Sequence, residues 1–128
     1  MIGRVSMINI ANATDALSSR GPDFQNIYND QQVALGHRRL SIIDTSADGH
    51  QPMWDSTGRY CIIFNGEIYN YQALKAQHLS DDIKYQSTTD TEVLLYLYIK
   101  KGKDCLEDLN GFFAFAIYDL QEKSVFVA

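Results

Sequence analysis

The sequence is poor in the residues that build disulfide frameworks and metal centres, with two cysteines and three histidines in 128 residues. Cys61 and Cys105 allow one disulfide at most. The apolar run around Cys61 and the short helix expected around Cys105 mark both as small buried hydrophobes. His37, His50 and His78 are scattered, with neither CxxC nor HxxxH spacing, so no metal site is expected. There are only two prolines, and no stretch rich in Pro, Gly or Ser divides the chain. Repeats are absent too, so a single domain is expected. Basic residues are outnumbered, 11 Lys and Arg against 16 Asp and Glu, for a net charge of −5. No cationic stripe is therefore available to displace counterions from a phosphate backbone, which excludes a nucleic-acid partner. No apolar run approaches the roughly 20 residues of a membrane helix. The N-terminus lacks the charged-then-apolar layout of a secretory signal. A reducing cytoplasm is the expected location.

The remainder is that of a globular domain, 45% hydrophobic and 21% charged, long enough to bury a core. Residues 6–18 read as a helix, with Ser6 as N-cap and Met7, Ile10, Ala11, Thr14 and Leu17 on one face. Arg20-Gly21-Pro22-Asp23 breaks it. Strands are expected over residues 32–35 and 40–43, with turns over 44–51. Residues 59–64 form a strand apolar on both faces, hence central. Asn70 is placed to cap a helix through Tyr71, Leu74 and Lys75. Thr89-Asp90-Thr91-Glu92 has capping-box spacing and opens a helix that Gly102 ends. A short helix at 106–109, a two-sided apolar strand at 112–118 and a last strand at 124–128 complete the reading. Two-faced apolar strands between amphipathic helices predict covered sheets, in α+β or α/β layers. A chain running out inside an apolar strand at Val127-Ala128 reads as a fragment.

Three constellations carry chemistry. The run Phe64-Asn65-Gly66-Glu67-Ile68-Tyr69-Asn70 brings an Asn amide and a Gly N–H to one point, which suits a developing oxyanion. The same Asn-Gly pair equally suits a hairpin turn, since both residues tolerate positive φ. Arg38-Arg39 puts two guanidinium groups at the mouth of an apolar segment, a fork for a carboxylate or a pair of solvated arginines. Asp90 in the first turn of its helix could take an ammonium group, or only complement the helix dipole. Together they suggest a small zwitterion with a reactive amide.

At these residues the chain resembles the glutamine-hydrolysing domain of asparagine synthetases, class II glutamine amidotransferases. The stretches are Arg20 to Asp23 (RGPD), Gly36 to Asp44 (GHRRLSIID), Gln51-Pro52-Met53, Phe64 to Tyr71 (FNGEIYNY), Asp90 to Leu95 (DTEVLL) and Leu109 to Asp119 (LNGFFAFAIYD), in family order. The resemblance implies an α+β N-terminal-nucleophile hydrolase fold, a four-layer α-β-β-α sandwich, here incomplete at both ends. Residues 1–128 would form a single, partial amidotransferase domain, with the synthetase domain absent. Arg39 would bind the glutamine α-carboxylate and Asp90 its α-amino group. Asn65 and Gly66 would form the oxyanion hole, while Glu67, Leu40, Ile42 and Ile43 would line the pocket. No cofactor is implied for this domain, since ATP and Mg belong to the synthetase domain, which would be its partner. Whether the chain forms homo-oligomers is left open.

One departure stands out. The family nucleophile is a cysteine at the mature N-terminus, and this chain begins Met1-Ile2-Gly3-Arg4. Neither Cys61 nor Cys105 carries the free α-amino group the chemistry uses. The chain by itself is therefore expected to be inactive. The competing expectation is a non-catalytic amino-acid-binding or regulatory module that keeps the pocket without the chemistry.

Overall fold

A computed structural model describes residues 7–40 and 49–128. The chain forms two compact units, residues 1–52 and 53–128. Ser6, the expected N-cap, and the segment 41–48, with Ile42 and Ile43, lie outside the described residues.

The first unit holds α1 (Met7–Asp15), β1 (Phe24–Asn29) and β2 (Ala34–Arg39). The two strands pair antiparallel, from Phe24 opposite Arg39 to Asn29 opposite Ala34. Asp30 builds the link between them. Its Oδ1 accepts from the N–H groups of Gln32 (2.7 Å) and Val33 (2.8 Å), an Asx turn made by the side chain itself. The helix packs on β2 at Gly36, where a Cβ would come within 2.2 Å of Thr14 Oγ1. The strand expected at 32–35 thus begins two residues later and continues to Arg39, while β1 was not anticipated. Its Gln25, Asn26 and Asn29 interrupt the apolar alternation on which such a prediction depends.

The second unit holds β3 (Met53–Trp54), β4 (Tyr60–Ile68), α2 (Tyr71–His78), α3 (Asp90–Lys101), a 3-10 turn (Gly102–Asp108), β5 (Gly111–Asp119) and β6 (Ser124–Val127). The strands form one sheet in the order β3-β4-β5-β6, and every pairing is antiparallel. The architecture is therefore α+β rather than α/β. Strand β4 is central, as its two-sided apolar pattern requires.

Side-chain alternation divides this sheet into two faces. Ile62, Phe64 and Ile68 of β4, with Phe115 and Ile117 of β5, form the core with Leu74 of α2 and Val93, Leu94, Leu95 and Leu97 of α3. Leu94, Leu95 and Leu97 are fully buried, so truncating any one to Ala would cost about 2–5 kcal/mol. The opposite face is buried at one end, at Cys61 and Tyr118, and open at the other, at Asn65, Glu67 and Phe112. Complete cover of both faces, expected from the sequence, holds only at the Cys61 end. Helix α3 ends as predicted at Gly102, whose positive φ of 61° lets its N–H return to the Tyr98 carbonyl.

Candidate active site

The Asn65-Gly66 pair is not a hairpin turn. Both residues lie inside β4, Asn65 opposite Ala114 and Gly66 opposite Phe113. Strand β4 runs on to Ile68, four residues beyond the expected end. Glycine is required at 66 on two counts. Its φ is 144°, and a Cβ there would sit 2.1 Å from the Phe112 carbonyl oxygen. The close approach of β5 therefore dictates the residue, independently of any turn.

Hydrogen-bond direction along β4 follows from its neighbours. Tyr69 N–H donates to the Asn110 carbonyl (2.8 Å) on the β5 side, while Phe115 exchanges hydrogen bonds with Ala128 on the far side of β5. By alternation, the N–H groups of Phe64, Gly66 and Ile68 point away from β5, toward the β3 edge. The ladder with β3 covers only Cys61 and Ile62. Gly66 N–H therefore faces an edge along which the described β3 ladder has already ended. Ile68 N–H, on the same edge, donates to Asp90 Oδ2 at 2.9 Å. Two residues of extended chain separate the two amides, about 7 Å.

Asp90 is the first residue of α3. Burial pushes its carboxyl above the usual carboxylate range, and the hydrogen bond from Ile68 N–H offsets only part of that. The first turn of α3 is fixed in turn by Thr89, whose side chain accepts from Glu92 N–H at 3.4 Å. The capping box is half realised. The Glu92 carboxylate does not return to the Thr89 N–H. It accepts instead from the N–H groups of Gln86 (2.8 Å) and Ser87 (2.7 Å) and from the Ser87 hydroxyl (2.7 Å).

Asn70, the expected cap of α2, makes no side-chain cap bond. Its amide bridges backbone across the sheet end: Nδ2 donates to the Asp108 carbonyl (2.8 Å) and Oδ1 accepts from Asn110 N–H (3.0 Å). This clamp fixes the exit of β4 against the entry of β5. On the open face Asn65 and Glu67 are exposed. Phe112, the cross-strand neighbour of Glu67, is 60% exposed and meets Tyr69 edge to face at 6.2 Å.

In the first unit the arginine pair divides its work. Arg38 Nε donates to the Thr14 carbonyl (2.9 Å) and Nη2 to Asp15 Oδ1 (2.9 Å). It thereby closes the C-terminal end of α1, where a cation also complements the dipole. Arg39, at the end of β2, lays its guanidinium against Gly49, where a Cβ would lie 2.4 Å from Nη2. Leu40 follows it, 54% exposed.

The two cysteines lie in the interior. Both are fully buried, and burial pushes the Cys61 thiol up to about 12 and the Cys105 thiol to about 11. Asn65, Gly66, Glu67 and Asp90 are thus gathered at one end of β4, while Arg39 and Leu40 belong to the first unit. The sequence reading missed the clamp at Asn70 and the anchoring role of Glu92. The capping-box spacing was a signal for the second, although it pointed to a different partner.

Residues 3–128 match the family model of the glutamine amidotransferase domain. The chain belongs to that family. It is 42% identical over 117 residues to asparagine synthetase [glutamine-hydrolyzing] 3 of Bacillus subtilis, covering 90% of this chain and 19% of that protein. Against asparagine synthetase B [glutamine-hydrolyzing] of Escherichia coli the identity is 44% over 108 residues, 84% of this chain and 19% of the relative. A second Bacillus subtilis asparagine synthetase [glutamine-hydrolyzing] is 40% identical over 113 residues, 88% and 15% respectively. The chain thus spans about a fifth or less of the length of these curated relatives.

Proposed function

We propose that this amidotransferase domain binds glutamine and serves its hydrolysis in an asparagine-synthetase-type enzyme, delivering ammonia for asparagine synthesis. In this reading residues 1–128 belong to one domain of the N-terminal-nucleophile hydrolase type, and a synthetase domain is its partner. The observation that carries the reading is the pairing of two groups on one edge of β4. An Asp90 carboxylate short of ionic compensation is fastened at Ile68, and the Gly66 N–H points the same way two residues earlier.

The roles follow from charge. The Asp90 carboxylate, destabilised by burial, gains a counter-ion when an α-ammonium group arrives. Asn65 and the Gly66 N–H hold the amide oxygen as it becomes an oxyanion, a contribution of about 10²–10³ in rate for one such donor. Arg39 takes the α-carboxylate, for which its planar fork is suited. Glu67, Leu40, Ile42 and Ile43 line the pocket. In the hydrolysis a thiolate attacks the amide carbon, negative charge moves to oxygen, and the C–N bond breaks to release ammonia. Water then frees glutamate from the thioester. Neither Cys61 nor Cys105 supplies that thiolate, so binding rather than turnover is the property to test on this chain.

Calorimetric titration of the purified chain with glutamine is expected to show one site, weakened about ten- to a hundredfold in both R39A and D90N. Absence of binding by the unaltered chain, or full binding by D90N, would overturn the reading.

A further inference from the structure

We infer that Glu92 is a positioning residue for Asp90, holding the first turn of α3 so that the Asp90 carboxylate meets the end of β4. Glu92 is 1% exposed, in the same helical turn as Asp90 but turned inward. Its carboxylate takes three donors from the segment that leads into the helix: Gln86 N–H, Ser87 N–H and the Ser87 hydroxyl. Charge-assisted bonds of this kind are about twice as strong as neutral ones.

The protons in this network can be assigned by elimination. The single hydroxyl proton of Ser87 goes to Glu92 Oε2, so at the 2.9 Å contact between Ser87 Oγ and Thr89 Oγ1 the Thr89 hydroxyl is the donor. Thr89 Oγ1 keeps its lone pairs for Glu92 N–H, and Ser87 Oγ also accepts from Thr89 N–H at 3.3 Å. The ring closes on itself: Glu92 holds Ser87, Ser87 orients Thr89, and Thr89 caps the helix at Glu92. Asp90 follows Thr89 directly, so its Cα is fixed by the ring on one side and its carboxylate by Ile68 N–H on the other.

A neutral amide cannot reproduce this. In E92Q one oxygen still accepts, while the NH2 group confronts donors that need an acceptor, a buried mismatch. Relaxing it moves Thr89 and, with it, Asp90.

The inference rests on the reading of Asp90 as the ammonium acceptor, and the test separates the two. The affinities of the chain for glutamine and for 4-carbamoylbutanoate, which lacks the α-amino group, are measured for the unaltered chain, E92Q, D90N and the double variant. The Ile68 amide resonance is recorded for each. E92Q is expected to lower the preference for glutamine over the des-amino compound by about tenfold and to displace the Ile68 amide. The double variant should lose no more preference than D90N alone. A role confined to folding would weaken both ligands equally, so an unchanged preference in E92Q, where D90N abolishes it, overturns the inference. An unmoved Ile68 amide does the same. If D90N keeps the preference, the Asp90 reading fails by itself and the amide resonance alone decides on Glu92. Should E92Q not fold, S87A removes only the hydroxyl link and is read by the same two outcomes.

Discussion

Ile68 and Asp90 are joined by a 2.9 Å hydrogen bond from the Ile68 amide to the Asp90 carboxylate. The same contact fastens a helix to a strand and aims a charge along the strand edge. Because burial raises the carboxyl pKa, ionised Asp90 disfavours folding. Its favourable contribution is fully present below the ordinary value of 3.8 and is lost as pH rises through the higher folded value. D90N retains an acceptor for Ile68 N–H and escapes that loss. We expect its urea midpoint to equal or exceed that of the unaltered chain at pH 7, the advantage vanishing toward pH 3. Glutamine affinity should fall about ten- to a hundredfold.

Gly66 tolerates no side chain. With a Cβ 2.1 Å from the Phe112 carbonyl, G66A must separate β4 from β5 and strain φ as well. A loss of about 1–3 kcal/mol or more is expected in urea unfolding. A variant as stable as the unaltered chain would show that the two strands sit farther apart than described.

Asp119 behaves oppositely to Asp90. Arg59 grips it through Nε (2.9 Å) and Nη2 (2.6 Å), and its carboxyl falls to about 2, the N–H groups of Glu122 and Gln121 adding to the effect. A lowered pKa stabilises above the unfolded value and is lost as pH falls through the folded one. The chain should therefore shed stability between about pH 4 and 2, and D119N should flatten that limb in acid titrations followed by circular dichroism.

Thiol chemistry gives a direct check on the interior. With Cys61 and Cys105 both fully buried and their pKa values at about 12 and 11, Ellman's reagent should titrate neither thiol in the native chain and both in denaturant. Rapid native reaction at either would place that cysteine at the surface.

The elements that the sequence announced are those whose signals are local. Thr89 and Gly102 bracket α3 because a cap and a positive-φ glycine act within one turn. The two-sided apolar runs of β4 and β5 show because both strands carry a core face and bury part of the other. Strand β1 escaped notice because its place depends on pairing with β2, not on its own apolar residues. Asn65-Gly66 reads as a turn because tolerance of positive φ is a property of a dipeptide. That it lies in a ladder is a property of the distant Phe112 and Phe113. Asn70 and Glu92 were assigned the right neighbourhood and the wrong partners, since each bonds backbone that only the folded chain brings near. Of the site, Asp90 and the Asn65-Gly66-Glu67 run were legible together; the edge they share was not.

Strand β3 spans only two residues, paired with Cys61 and Ile62. Each further pair of residues in register would carry the ladder farther along β4 toward Gly66, whose N–H faces this edge. The shortness of β3 is thus a length gauge for the whole edge. A modest insertion that prolonged it would make a tidier sheet and a more stable fold, and would silence the Gly66 amide without altering a single residue of the site.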